Sequence, residues 1–234
     1  QHGDAVWAAA FSPDGTRLLS GVRDGSARLW RMDTYEMLCE MAFDADGVNG
    51  HSARVWDATF SPDGDTLLTV SGDGTARMWD AHDCTQLRIY EGHQGHLRAV
   101  AFSPDGQTFV TGGEDMVLIH WSVEDGEIGR FAGHADWLWA IDFSANGRVL
   151  ASGSSDGVVI LWDVATYRPL HVIDDANGST TSIDFSPDGR LLATASGDGT
   201  VRLWDVTTSA ELRRFNGHDG GVWSVVFSPD GQTL

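Results

Sequence analysis

The pentapeptide Phe-Ser-Pro-Asp-Gly starts at Phe11, Phe60, Phe102, Phe185 and Phe227, and a weakened copy, Phe143-Ser-Ala-Asn-Gly147, fills the one long gap. Successive Phe residues stand 49, 42, 41, 42 and 42 positions apart. A Trp follows each of the first five by nineteen residues: Trp30, Trp79, Trp121, Trp162 and Trp204. A His precedes the Phe by nine at His2, His51, His93, His134 and His218, with Ala176 in the remaining copy. Self-similarity with a period near 42 dictates a row of equivalent stacked units rather than one domain with a single centre. Residues that recur in every unit belong to the scaffold, so function is sought where the copies differ.

One unit reads as four strands. Val222-Trp-Ser-Val-Val-Phe227 is β-branched and aromatic, as strands are. In the Ser-Pro-Asp-Gly that follows, Pro presets φ, Asp bonds the local backbone and Gly takes positive φ, which makes a hairpin turn. Leu191–Ala195, then a Gly-Asp-Gly turn, Thr200–Trp204 and Glu211–Phe215 supply the second, third and fourth strands in the fifth copy. Four antiparallel strands cannot bury their own apolar faces. Units must stack face to face, and radial repetition is the solution.

The pattern His…Phe-Ser-Pro-Asp-Gly…Asp-Gly…Trp-Asp resembles the WD40 repeat family over essentially the whole chain. Gly-His pairs stand at Gly50-His51, Gly92-His93, Gly133-His134 and Gly217-His218; Trp-Asp pairs stand at Trp79-Asp80, Trp162-Asp163 and Trp204-Asp205. Trp30-Arg31 and Trp121-Ser122 depart from it. The resemblance implies an all-β fold, a WD40 β-propeller with ~40 to 45 residues per blade. A single partial propeller over 1–234 is expected, with blades near 3–43, 51–91, 93–132, 134–174 and 176–216 and the start of a sixth at 217–234. Five blades and a part do not close a ring, so the expected shape is an open arc of a larger protein, with edges open to self-association.

The resemblance also implies a hydrogen-bonded tetrad inside each blade. By match these are His2/Ser20/Asp24/Trp30, His51/Thr69/Asp73/Trp79, His93/Thr111/Asp115/Trp121 and His134/Ser152/Asp156/Trp162, and the fifth keeps Thr194, Asp198 and Trp204 beside Ala176. The chemistry is coherent: a buried indole N–H needs an acceptor, a hydroxyl provides it, and an imidazole links hydroxyl to carboxylate. Ser, His and Asp together suggest a hydrolase triad, but a catalytic set is needed once and this one recurs in every unit.

The differing positions are few. Four residues before the repeated Phe stand Trp7, Trp56, Arg98, Trp139, Thr181 and Trp223; six before it stand Ala5, Arg54, His96, Trp137, Ser179 and Gly221; one before the turn Asp stand Arg23, Gly72, Glu114, Ser155 and Gly197. In the family these positions share the top face, where proteins often dock. Trp and Arg are the residue types that dominate interface energetics. The expected partner surface is therefore Trp7, Arg23, Arg54, Trp56, His96, Arg98, Glu114, Trp137, Trp139 and Trp223. The competing reading makes the Trp residues packing around the central channel. An acidic rim of Glu114 and the Asp44–Asp46 loop points to a basic protein or peptide.

Composition sets the remaining bounds. The net charge is −19, but thirteen Asp occupy repeated turn positions and every base is Arg. So acidic a surface is a poor match for nucleic acid. No apolar run reaches the ~18 residues of a membrane span. Cys39 and Cys84 occupy different places in their repeats, so a disulfide framework is not expected and a reducing, cytoplasmic setting fits. Asp44-Ala-Asp46-Gly has the spacing of calcium loops but lacks the closing Glu, so a plain turn is expected there. No catalytic residue, metal site or cofactor is expected. The function that follows is a non-catalytic interaction scaffold; the alternatives are a propeller with a ligand or enzymatic site in its central channel, or a sensor module for a kinase or NTPase elsewhere in a longer protein.

Overall fold

The computed structural model describes residues 3–44, 49–174 and 178–234, and among these there is no helix. The first sheet is β1 (Val6–Phe11), β2 (Arg17–Val22), β3 (Ala27–Arg31) and β4 (Met37–Met41). The second is β5 (Val55–Phe60), β6 (Thr66–Ser71), β7 (Ala76–Asp80) and β8 (Gln86–Tyr90). The third is β9 (Leu97–Phe102), β10 (Thr108–Gly113), β11 (Val117–Ser122) and β12 (Gly126–Ala132). The fourth is β13 (Leu138–Phe143), β14 (Val149–Ser154), β15 (Val158–Asp163) and β16 (Arg168–Asp174). The fifth is β17 (Thr180–Phe185), β18 (Leu191–Ser196), β19 (Val201–Asp205) and β20 (Glu211–Phe215). Each is an antiparallel meander in chain order. The first strands β1, β5, β9, β13 and β17 pack successively against one another, so the sheets are the blades of an incomplete propeller.

The core lies between blades rather than within them. Leu19 and Leu29 of the first blade pack with Val55, Leu67 and Trp79 of the second. Leu68 and Val70 pack with Leu97, Phe109 and Trp121, and the same layer recurs between blades three and four and between four and five. Residues 217–234 continue the series without a strand partner among the described residues: Val222 and Val225 are buried against Ala193, Ala195 and Val201 of the fifth blade.

The repeated pentapeptide builds one turn many times. Ser61 Oγ donates to Asp63 Oδ1 (2.5 Å), Asp63 Oδ1 accepts from the Asp65 N–H, and Gly64 takes φ 78°. Its Pro meets the turn Gly of the next blade: a Cβ on Gly106 would lie 3.4 Å from Pro62, and one on Gly147 3.4 Å from Pro104. The motif therefore links neighbours as well as reversing the chain.

Two bulges recur in every blade. Between first and second strands the register skips one residue, and the skipped residue is Trp7, Trp56, Arg98, Trp139 or Thr181. Between third and fourth strands it skips Leu38, Leu87, Ile128, Leu170 or Leu212. A bulge re-aims the extra side chain. The first set is turned toward one rim of the arc, and the second is left as exposed aliphatics on the outer strands.

The outer seam corrects the expectation for the cysteines. Cys39 and Cys84 form a disulfide, with Cα atoms 6.1 Å apart. They occupy different repeat positions because the seam joins different positions: the fourth-strand residue of one blade meets the residue five after the Trp in the next. At the following seams Arg88 donates to the Val123 carbonyl (3.1 Å), and Tyr167 lies across Gly129, where a Cβ would sit 2.3 Å from its ring. That turn position takes positive φ at Tyr35, Cys84, Gly126, Tyr167 and Ser209.

Candidate functional site

The tetrads form in the blades where all four positions are described. Trp79 Nε1–H donates to Thr69 Oγ1 (2.8 Å), the Thr69 hydroxyl donates to His51 Nε2 (2.7 Å), and His51 Nδ1–H donates to Asp73 (3.0 Å). Trp121, Thr111, His93 and Asp115 repeat this at 2.8, 2.7 and 2.8 Å. Trp162, Ser152, His134 and Asp156 do so at 2.8, 2.7 and 3.4 Å. Burial lowers the pKa of His51 and His134 against the pull of their Asp partners, which keeps the imidazoles neutral in this relay. Burial acts upward on Asp73, but the bonds from His51 and Thr75 outweigh it and hold its carboxyl below the usual range. In the first blade Trp30 donates to Ser20 (2.9 Å) and Asp24 faces Arg28, while His2 lies outside the described residues. In the fifth, Trp204 donates to Thr194 (3.0 Å); Ala176 also lies outside them, and Asp198 instead accepts from Arg202 (2.6 Å). In the second to fourth blades these groups are closed on one another, with the imidazole side chains 1% exposed.

Sequence reasoning missed a second set of carboxylates, on the first strands. Asp57 accepts from the Val100 N–H (3.0 Å), Asp142 from the Phe185 N–H (2.8 Å) and Asp184 from the Phe227 N–H, each reaching into the next blade. Burial raises Asp57 to about 6 and Asp142 to about 7, against the bonds from the backbone, with the Asp184 charge adding to the rise at Asp142. The only sequence signal is an Asp within a first strand, at two different repeat positions. Among the described residues no cluster of three or more His, Cys, Asp or Glu could hold a metal. His120, which replaces an aliphatic, is buried beside Phe131, Phe143 and Tyr167, with Nδ1 3.3 Å from the Tyr167 hydroxyl. Asn49 donates to Asp44 (2.6 Å) in the long connection, whose Ala45–Val48 lie outside the described residues.

The differing positions converge on the rim. Arg98, its side chain only 8% exposed, holds its guanidinium 3.8 Å from the Trp56 ring, 4.5 Å from Trp139 and 5.4 Å from Trp137. Arg54 covers Trp56 at 4.9 Å, and Trp7 packs on Trp56 with ring centroids 5.1 Å apart. Glu114 pairs with Arg98 and lies 3.2 Å from His96. Trp139 Nε1–H donates to Ser155 Oγ. One continuous surface thus runs over blades one to four, with Trp7 51% and Trp137 41% exposed. Trp223 (74% exposed) and Arg23 make no ring or ion-pair contact with it among the described residues. Glu114 is no free acidic rim, since its charge is committed to Arg98.

The comparisons with known proteins agree with this architecture. Residues 54–234 match the family described as IFT122 first beta-propeller, and residues 1–31 match WD domain, G-beta repeat. Striatin-4 of Mus musculus is 45% identical over 49 residues, and striatin-4 of Homo sapiens 41% over 49. Those stretches cover 21% of this chain and 6% of either relative, so the likeness is to a short part of much longer proteins. Propellers of this kind are generally protein-interaction scaffolds. With more than half of its length matched by one propeller description and its five blades built on the WD40 repeat, the chain belongs to the WD-repeat β-propeller family.

Proposed function

We propose that this chain is a non-catalytic docking platform whose partner, a protein or peptide, binds the rim formed by Trp7, Arg54, Trp56, Arg98, Trp137 and Trp139. The observation that carries this reading is the placement of the five first-strand bulges. Each re-aims a residue of the differing set, and Arg98 joins Trp56 and the pair Trp137 and Trp139 into one surface. Partly exposed Trp with an organised Arg is the composition of an interface centre. A site in the central channel has less support, because Asp57, Asp142 and Asp184 are occupied by backbone N–H groups of neighbouring blades.

The test is capture from the native lysate by the protein and its Trp137→Ala and Arg98→Ala variants, each shown folded by circular dichroism. Loss of the same partner by both supports the platform. Retention of every partner by both refutes the assignment of this rim, and turnover of a substrate by the purified protein refutes the non-catalytic reading. The cytoplasm remains the proposed setting, now alongside an inter-blade disulfide that a reducing compartment would open.

A further inference from the structure

In the second, third and fourth blades the first-strand bulge residue lies beside the residue that precedes the turn Asp of its own blade. In the fourth blade Trp139 donates its indole N–H to Ser155, and in the third Arg98 pairs with Glu114. The second blade breaks this pairing. Trp56 faces Gly72, and Trp56 Nε1 is buried with no hydrogen-bond partner. The backbone does not demand glycine there. Gly72 has no left-handed φ, and a Cβ on it would make only ordinary contacts, 3.5 Å from Ala53 Cβ, 3.5 Å from Trp56 Nε1 and 3.6 Å from Arg54 Cγ. The residue that supplies an acceptor in the fourth blade is replaced here by a glycine, which leaves a notch lined by Ala53, Arg54 and Trp56.

The charges around the notch are mixed, with Asp73 next to Gly72 and the exposed Asp24 next to Arg23. Arg54 is exposed, lies over the Trp56 ring and makes no ion pair among the described residues. Arg23, exposed and likewise without an ion pair, sits on the first-blade turn that packs against His51–Ala53; a Cβ on Gly25 of that turn would lie 2.6 Å from the His51 carbonyl oxygen. The acid beside Gly72, Asp73, is committed to His51, Ser52 and Thr75. Glu114 on the next blade is neutralised by Arg98 and lies 3.2 Å from His96. A buried donor without an acceptor, beside an exposed arginine that makes no ion pair among the described residues, is complementary to a carboxylate.

We propose that the notch over Gly72 anchors the docking partner through an acidic side chain, an Asp or Glu of a partner peptide, with one carboxylate oxygen accepting from Trp56 Nε1 and the other facing Arg54. This rests on the reading of the rim as a docking surface and reverses the basic partner expected from sequence. The Arg54 stem lies over the indole N–H in the free protein. Its rotation toward the incoming carboxylate uncovers the donor, and no ion pair holds it back.

The ten Trp give ten indole N–H signals in a proton–nitrogen correlation spectrum, and Trp56→Phe identifies the one that belongs to Trp56. The probe is acetyl-Gly-Gly-Glu-Gly-Gly-amide, with its Gln and Lys counterparts as controls. The Glu peptide is expected to move the Trp56 signal downfield and saturably, the Gln peptide to move it less than a fifth as far, and the Lys peptide not at all. In Gly72→Ser, whose hydroxyl takes the N–H as Ser155 does in the fourth blade, the signal is displaced before any peptide is added and its response falls at least tenfold. An unmoved Trp56 signal, an equal response to the Gln peptide, or an undiminished response in Gly72→Ser overturns the proposal. The two readings fail separately. Partner capture that depends on Trp137 while the Trp56 indole stays silent refutes the notch alone. A responding indole with capture indifferent to Trp137 refutes the rim as the docking surface and leaves the carboxylate site standing.

Discussion

At the scale of single residues, the chain uses buried polar groups to fix geometry, and their protonation states follow from it. Trp79→Phe and His51→Ala each leave a buried partner in the tetrad unpaired, so each is expected to destabilise by about 1–3 kcal/mol, read as a lower denaturation midpoint. The carboxylates bridging the blades act in the opposite sense to the turn Asp residues. An unfolded Asp loses its proton near pH 4, whereas Asp142 holds its proton to about 7 because it is buried. Between these values the folded state binds more protons than the unfolded one, so stability contributed by Asp142 falls as pH rises through the window. Asp142→Asn is therefore expected to flatten the fall in melting temperature between pH 5 and 8. A fall as steep as in the parent protein would show that Asp142 is ionised throughout. The tetrads were legible because each partner recurs at fixed spacing. Asp57, Asp142 and Asp184 were not, because they sit at two repeat positions and their partners are backbone N–H groups of another blade, which leave no mark on sequence.

At the scale of elements, strand order and turns follow from local chemistry, while bulges and seams depend on how sheets meet. The Ser-Pro-Asp-Gly turn announces itself through φ preferences and side-chain bonds, and even Ala145 and Asn146 keep it, with Ser144 bonded to Asn146 (3.0 Å). The skipped residue in each first strand carries no turn signal, yet it decides which side chains reach the rim. The disulfide was hidden by the same logic, since a seam between unlike positions breaks the periodicity that exposes everything else. Cys84→Ser removes this inter-blade tie across a sequence separation of 45 residues, and is expected to lower stability by about 2–4 kcal/mol under oxidising conditions and by far less under reductant. Equal melting temperatures for variant and parent without reductant would show that the bond contributes nothing. In the fifth blade Asp198 pairs with Arg202, at the repeat position of the Arg28 that faces Asp24 in the first blade.

At the scale of the whole molecule, the repeat makes five equivalent blades and then assigns different work to the few positions where they differ. Two belts of bulge residues result. One, on the rim, carries Trp7, Trp56, Arg98 and Trp139; the other, on the outer strands, carries Leu38, Leu87, Ile128, Leu170 and Leu212. Both belts expose apolar surface, but only the first combines aromatic rings with organised charge. The measurement that decides between them is the affinity of the captured partner for Trp56→Ala and Trp139→Ala on one side, and for Leu87→Ala and Leu170→Ala on the other, each variant first shown to melt as a folded protein. The rim reading predicts at least a tenfold loss, about 1.4 kcal/mol, for either Trp variant and less than a twofold change for either Leu variant. A loss confined to the Leu variants, with both Trp variants binding as the parent does, would contradict it.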